Sequence, residues 1–114
     1  MSLDLSFEFE KNVSLEQLET AGVPHAIRLY KGYAGAKRLH SIVQAISNGT
    51  ISLYQELDNR HIDQLVFSYT LARNVFDNGH LVDIIENDAQ LKEFFDTLVA
   101  VKENNLKLNI RPFF

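Results

Sequence analysis

The chain has 114 residues, enough for one domain with a single core that buries roughly two thirds of its unfolded surface. Its 46% hydrophobic and 23% charged residues exclude a disordered chain, and a formal charge of -4 argues against a protein whose net field attracts nucleic acid. The absence of cysteine excludes disulfides, thiolate nucleophiles and cysteine-based zinc sites.

No stretch approaches the roughly 18 apolar residues of a membrane helix. The first residues, with Asp4, Glu8, Glu10 and Lys11, do not form a secretory signal. The expectation is a soluble, cytoplasmic protein with no membrane contact.

Leu3, Leu5, Phe7 and Phe9 alternate with Asp4, Ser6, Glu8 and Glu10, the period of a half-buried strand. Ser14 and Gln17 have the spacing of a capping box, Leu15 and Leu18 give the following short helix one edge expected to be buried, and Gly22 and Pro24 end it. Residues 25–31 fit helix or strand. Ile27 and Tyr30 fall off the apolar face of the next segment, so the register breaks across residues 32–35. From Ala36 a helix places Leu39, Ile42, Val43 and Ile46 on one face, with Asn48-Gly49 as its stop. Ile51, Leu53 and Leu57 alternate with Ser52, Tyr54 and Glu56, which predicts a second strand.

A central helix is predicted near residues 61–78. Ile62, Leu65, Val66, Tyr69, Ala72 and Phe76 form one stripe, and Phe67, Leu71 and Val75 form another on the opposite side. A helix apolar on two sides is expected to be covered on both. Asn78-Gly79 would stop it. Leu81, Ile84 and Ile85 mark a short amphipathic helix. Asp88 caps the last helix, whose apolar face is Leu91, Phe94, Phe95, Leu98, Val99 and Val101, and Asn104-Asn105 breaks it. Leu106, Leu108 and Ile110 then alternate with Lys107, Asn109 and Arg111 in a terminal strand.

The first strand exposes Asp4, Glu8 and Glu10 and the last exposes Lys107 and Arg111. Opposite charges across neighbouring strands are worth a few tenths of a kcal/mol each, roughly, which favours adjacency of the two termini. The whole reads as one compact α+β domain over residues 1–114. It has a small sheet of about three strands and helices packed on one face.

Gly32-Tyr33-Ala34-Gly35 is a G-x-x-G run with Arg28 and Lys31 before it and Lys37 and Arg38 after it. As a loop leading into a helix, it would let backbone amides approach a phosphate, and Tyr30 or Tyr33 would stack on a base. The run from Gly32 to Leu39 resembles the loop region of KH RNA-binding domains. It departs from them beyond that helix, since one strand here leads directly into a long helix where KH domains have two further paired strands. The structural alternative is a turn with solvated basic residues.

His80, Asp83 and Glu86 recur every three residues, as a metal or acid–base cluster would, but these are also the positions left when Leu81, Ile84 and Ile85 face the core. Asp77-Asn78-Gly79 opens like a calcium loop and lacks the later oxygen ligands. Arg73 falls within the main apolar stripe of the central helix. Its stem either snorkels past the helix end or brings a guanidinium to the floor of a pocket. Phe113 and Phe114 follow Pro112, which is expected to end strand pairing, and they either cap the core or form an exposed anchor.

No G-x-S-x-G elbow, Walker or Rossmann glycine pattern occurs, which points away from an enzyme, and no cofactor is expected. The reading is a non-catalytic protein-interaction module, an adaptor, regulator or inhibitor, whose partner is another protein or a second copy in a homodimer. One alternative is an RNA- or phosphate-binding domain using Lys31, Gly32, Tyr33, Gly35, Lys37 and Arg38. Another is a small-molecule pocket or enzyme centred on Arg73.

Overall fold

The computed structural model describes residues 3–10, 12–24, 26–29, 32–74 and 79–113, with residues 26–29, 32–36, 74, 79 and 80 described by backbone alone. The elements in chain order are β1 (Leu3–Phe9), α1 (Leu15–Ala21), β2 (Ala26–Leu29), α2 (Gly32–Ile46), α3 (Asn59–Asn74), α4 (Gly79–Glu86), α5 (Ala89–Glu103) and β3 (Leu108–Phe113). The class is α+β.

β1 is the middle strand of an antiparallel sheet ordered β2-β1-β3. Its alternation does what the sequence implies: Leu3, Leu5 and Phe7 are buried, while Glu8 is exposed. β3 runs antiparallel beside it, with Ser6 opposite Arg111, Phe7 opposite Ile110 and Asp4 opposite Phe113. The termini are therefore neighbours, as the charge pattern predicts, and Arg111 lies 3.3 Å from Glu8 and 3.9 Å from Glu56. Both contacts are half-exposed, so they select the pairing more than they stabilise it.

Of the three predicted strands, the first and last form and the middle one does not. Residues 51–57 make only an isolated bridge, Leu57 with Ile110. Ile51, Leu53 and Leu57 are fully buried, so the alternation correctly marks which side chains turn inward. The main chain, however, is satisfied without a ladder. The Ile51 N–H donates to Ser47 Oγ, the Ile51 carbonyl accepts from Gln44 Nε2, and the N–H groups of Tyr54 and Gln55 turn back onto Ser52. With those partners at the end of α2, pairing with a strand is not required. The sheet instead takes Ala26–Leu29 on its other edge, with Leu5 opposite Ile27.

The helix boundaries follow local chemistry. Ser14 and Gln17 form the reciprocal capping box, and α1 closes at Gly22, whose φ of 72° is cheap only for glycine. α2 ends ahead of Asn48 and Gly49, both at positive φ. Asp88 caps α5 by accepting from Gln90 and Leu91 N–H groups, and Asn105 at φ 53° follows its last turn.

α3 begins two residues earlier than predicted because Asp58 caps it. Its carboxylate accepts from the Arg60 and His61 N–H groups, and His61 Nδ1 accepts from the Asp58 N–H at 3.1 Å. A histidine thus takes the place of the glutamate of a capping box, with the same Nδ1 3.0 Å from Asp58 Oδ1. The His61 N–H bond holds the Asp58 carboxyl below its ordinary range. Residues 75–78, with Val75, Phe76 and the predicted stop at Asn78, lie outside the described residues.

One face of α3 is buried at Ile62, Leu65, Val66 and Tyr69, where it meets α2, α4 and α5. The opposite face is open: Phe67 is 63% exposed and Leu71 only partly covered. The expected two-sided covering is therefore wrong for the single chain. The helices that pack on α3 cover the Leu65 side, and among the described residues nothing buries Phe67. Leu91, Phe94, Phe95, Leu98 and Val101 of α5 join Ile85 of α4 and the inner side chains of the sheet in one core cluster.

Candidate interaction surface

The basic G-x-x-G run is not a loop. Residues 32–35 form the first turn of α2, although glycine is a weak helix former, at most about 1 kcal/mol below alanine. Packing of Leu39, Ile42 and Val43 along the same helix outweighs that local preference. Lys31 and the Tyr33 side chain lie outside the described residues. Lys37 is exposed.

Arg38 is committed elsewhere. Its Nη1 donates to Asp88 Oδ2 at 2.6 Å, tying α2 to the N-cap of α5. Burial alone would raise the Asp88 carboxyl, but Arg38 and the Leu91 and Gln90 N–H groups outweigh it and hold it below 3.8. One side chain proposed for phosphate recognition thus supports a helix start.

Arg73 is about half exposed and takes the snorkelling route. Its guanidinium carbon sits 5.5 Å from the centre of the Tyr69 ring, and its Nε is 4.0 Å from Glu86 Oε1. Tyr69 is buried, its ring stacks on Phe95 at 4.8 Å, and its hydroxyl donates to Glu86 Oε1 at 3.3 Å. Burial, then the Glu86 charge, pushes the phenol above 10, which keeps it a donor. Lys92 completes the group, 3.5 Å from Glu86 Oε2 and 3.0 Å from Asp96 Oδ2. Asp96 first, then Glu86, raises its ammonium above the ordinary value. Two cations and two carboxylates balance here, so the cluster joins α3, α4 and α5 without a net field for an anion.

Glu86 is therefore occupied within the fold rather than shared with Asp83 in a metal cluster. Asp83 is exposed, and the His80 side chain lies outside the described residues. Among the described residues, no group of three or more histidine, aspartate or glutamate side chains is placed to hold a metal ion. Two open hollows, of about 230 Å³ beside Glu8, Asn59 and Lys107 and about 270 Å³ beside Gln17, Thr20 and Asn104, fall below the usual range for small-molecule pockets.

Phe113 is different. It is 51% exposed at the end of β3, opposite Asp4 on the outer face of the sheet, where the neighbouring outer positions are Arg111 and Ser6. Pro112 does not end pairing, contrary to expectation. Ile110 exchanges both backbone bonds with Leu57, so by alternation the N and carbonyl of Pro112 also face away from β1, and its missing N–H costs the β1 ladder nothing. The strand therefore carries Phe113 on an ordered backbone; Phe114 lies outside the described residues. Two further apolar side chains are exposed against expectation, Phe67 and, at 64% exposure, Leu15, so that only Leu18 of the α1 edge is buried. Their apolar periodicity is indistinguishable from that of core positions, and nothing local signals that they are uncovered.

No protein-family model, curated protein or solved structure matches this chain. No helix among the described residues is long and apolar enough to cross a membrane.

Proposed function

We propose that this protein is a small non-catalytic interaction module, an adaptor, regulator or inhibitor, that binds another protein or a second copy of itself through apolar side chains on its ordered surface. The observation that carries this reading is Phe113, half exposed on a paired strand rather than on a loose tail. A large aromatic ring held in place loses little conformational freedom when a partner covers it, which suits an anchor. Two polar groups weighed for phosphate binding or for metal and acid–base chemistry have structural employment instead: Arg38 with Asp88 and Glu86 with Tyr69. The reading includes a cytoplasmic location, with which a chain without cysteine is compatible.

Sedimentation velocity of the full chain across a concentration series tests it, alongside Phe113→Ser, which leaves the strand backbone intact. Concentration-dependent association, or capture of a defined partner, weakened by Phe113→Ser at unchanged thermal stability is the expected result. A chain that stays monomeric, with Phe113→Ser changing neither association nor partner capture, removes the reading.

A further inference from the structure

The outward edge of β3 is closed at three successive positions by three different means. The Leu108 N–H donates to Asn59 Oδ1 at 3.0 Å. Ile110 is paired on both sides with Leu57, at 2.9 Å from its carbonyl and 2.8 Å from its N–H. Pro112 has no N–H to offer. These are the outward-facing residues of the strand, since the intervening Asn109, Arg111 and Phe113 face β1. Asn59 is the first residue of α3 and Leu57 lies two residues before it, across the Asp58 and His61 cap that holds the helix start in place.

We propose that residues 57–59 and Pro112 together form a seal that keeps β3 from pairing with β3 of a second copy. Unsealed, the strand is suited to that pairing. An antiparallel arrangement centred on Ile110 keeps the buried faces of both copies on the same side and sets each Arg111 opposite the partner's Asn109, avoiding a like-charge clash. An unprotected edge of this kind is a template for association between identical chains. A single bridge would be enough to satisfy Ile110; its combination with a side-chain acceptor and a proline at the flanking outward positions is what indicates protection of the whole edge. This inference does not depend on the function proposed above.

The test is Pro112→Val, which restores the missing N–H without removing core volume, and the double variant with Asn59→Leu, which also frees the Leu108 N–H. Amide exchange should first show Leu108 opening in the double variant. An acceleration of about ten-fold is expected, corresponding to the loss of one net hydrogen bond of about 1.4 kcal/mol. Sedimentation of the full chain should then show a dimer in the double variant, in which the partner strand displaces the now unflanked Leu57 bridge from Ile110, little association in Pro112→Val, and renewed protection of Leu108 and of the new residue-112 amide at high concentration. Adding Phe113→Ser separates the two surfaces: association through the edge survives it and association through Phe113 does not. Gln17→Ala, which weakens the distant capping box, controls for association caused merely by lower stability. Equal association in that control and the double variant overturns the proposal, as does an exchange-competent Leu108 with no change in oligomeric state. If the double variant does not fold, Asn59→Ala in place of Asn59→Leu repeats the test, since it too removes the acceptor of the Leu108 N–H, and absence of added association there also overturns the proposal.

Discussion

Leu65→Ala and Phe67→Ala, two residues apart on α3, are expected to differ by several kcal/mol in stability. Leu65 is fully buried, on the helix face that meets α2, α4 and α5. Truncation to alanine removes three carbon groups at about 0.8 kcal/mol each, a floor near 2.4 kcal/mol. The surrounding core includes the Tyr69, Phe94 and Phe95 rings, of which Tyr69 is fixed by its hydroxyl bond and its stack on Phe95. The cavity left in such a core adds to the transfer cost, which raises the expected loss to about 3–4 kcal/mol, inside the roughly 2–5 kcal/mol range for buried leucines. Phe67 is 63% exposed, so its truncation should stay within about 0.5 kcal/mol. Urea melts at low protein concentration measure both. Equal losses for the two variants would refute the one-sided packing of α3. A Phe67→Ala loss that grows with protein concentration would instead mean that a second chain covers that face.

Asp88→Ala should cost about 0.5–2 kcal/mol as a lost N-cap, and Asp88→Asn less, because the amide oxygen still accepts from Gln90 and Leu91. Since the folded carboxyl is held below 3.8, its ionic contribution is present above that value and lost as pH falls through the lower folded one, so melts of wild type and Asp88→Asn should converge in strong acid. Tyr69→Phe should cost about 1 kcal/mol near neutrality. The raised phenol of Tyr69 favours folding below pH 10, and that advantage disappears as pH rises through the higher folded value, so the variant should lack this alkaline loss in the melting midpoint. Arg38→Ala should lower the melting midpoint and leave single-stranded RNA anisotropy unchanged. Micromolar binding that weakens by about 0.7 log units per decade of salt for each neutralised phosphate, and that Lys37→Ala abolishes, would restore the RNA reading.

The sequence alone settled those features whose cause lies within a few residues. Capping at Ser14 and Asp88, the closing glycine at residue 22 and the inward side of β1 follow from hydrogen bonds and periods that neighbouring residues complete. Even the pairing of β1 with β3 left a local trace, in the opposite charges of Glu8 and Arg111. Tertiary structure decided whatever needed a distant partner. The alternation of residues 51–57 specifies which side chains go inside, but whether the segment becomes a strand depends on acceptors and donors offered by Ser47 and Gln44 at the end of α2. Phe67 and Leu65 carry equivalent apolar signals, and only the placement of the neighbouring helices buries one and leaves the other open. The choice between capping and exposure at Phe113 and the engagement of Arg38 and Glu86 were hidden for the same reason. A periodic pattern encodes which side of an element is apolar, whereas covering that side is a property of segments distant in the chain, as where β3 at the C-terminal end pairs with β1 at the N-terminal end.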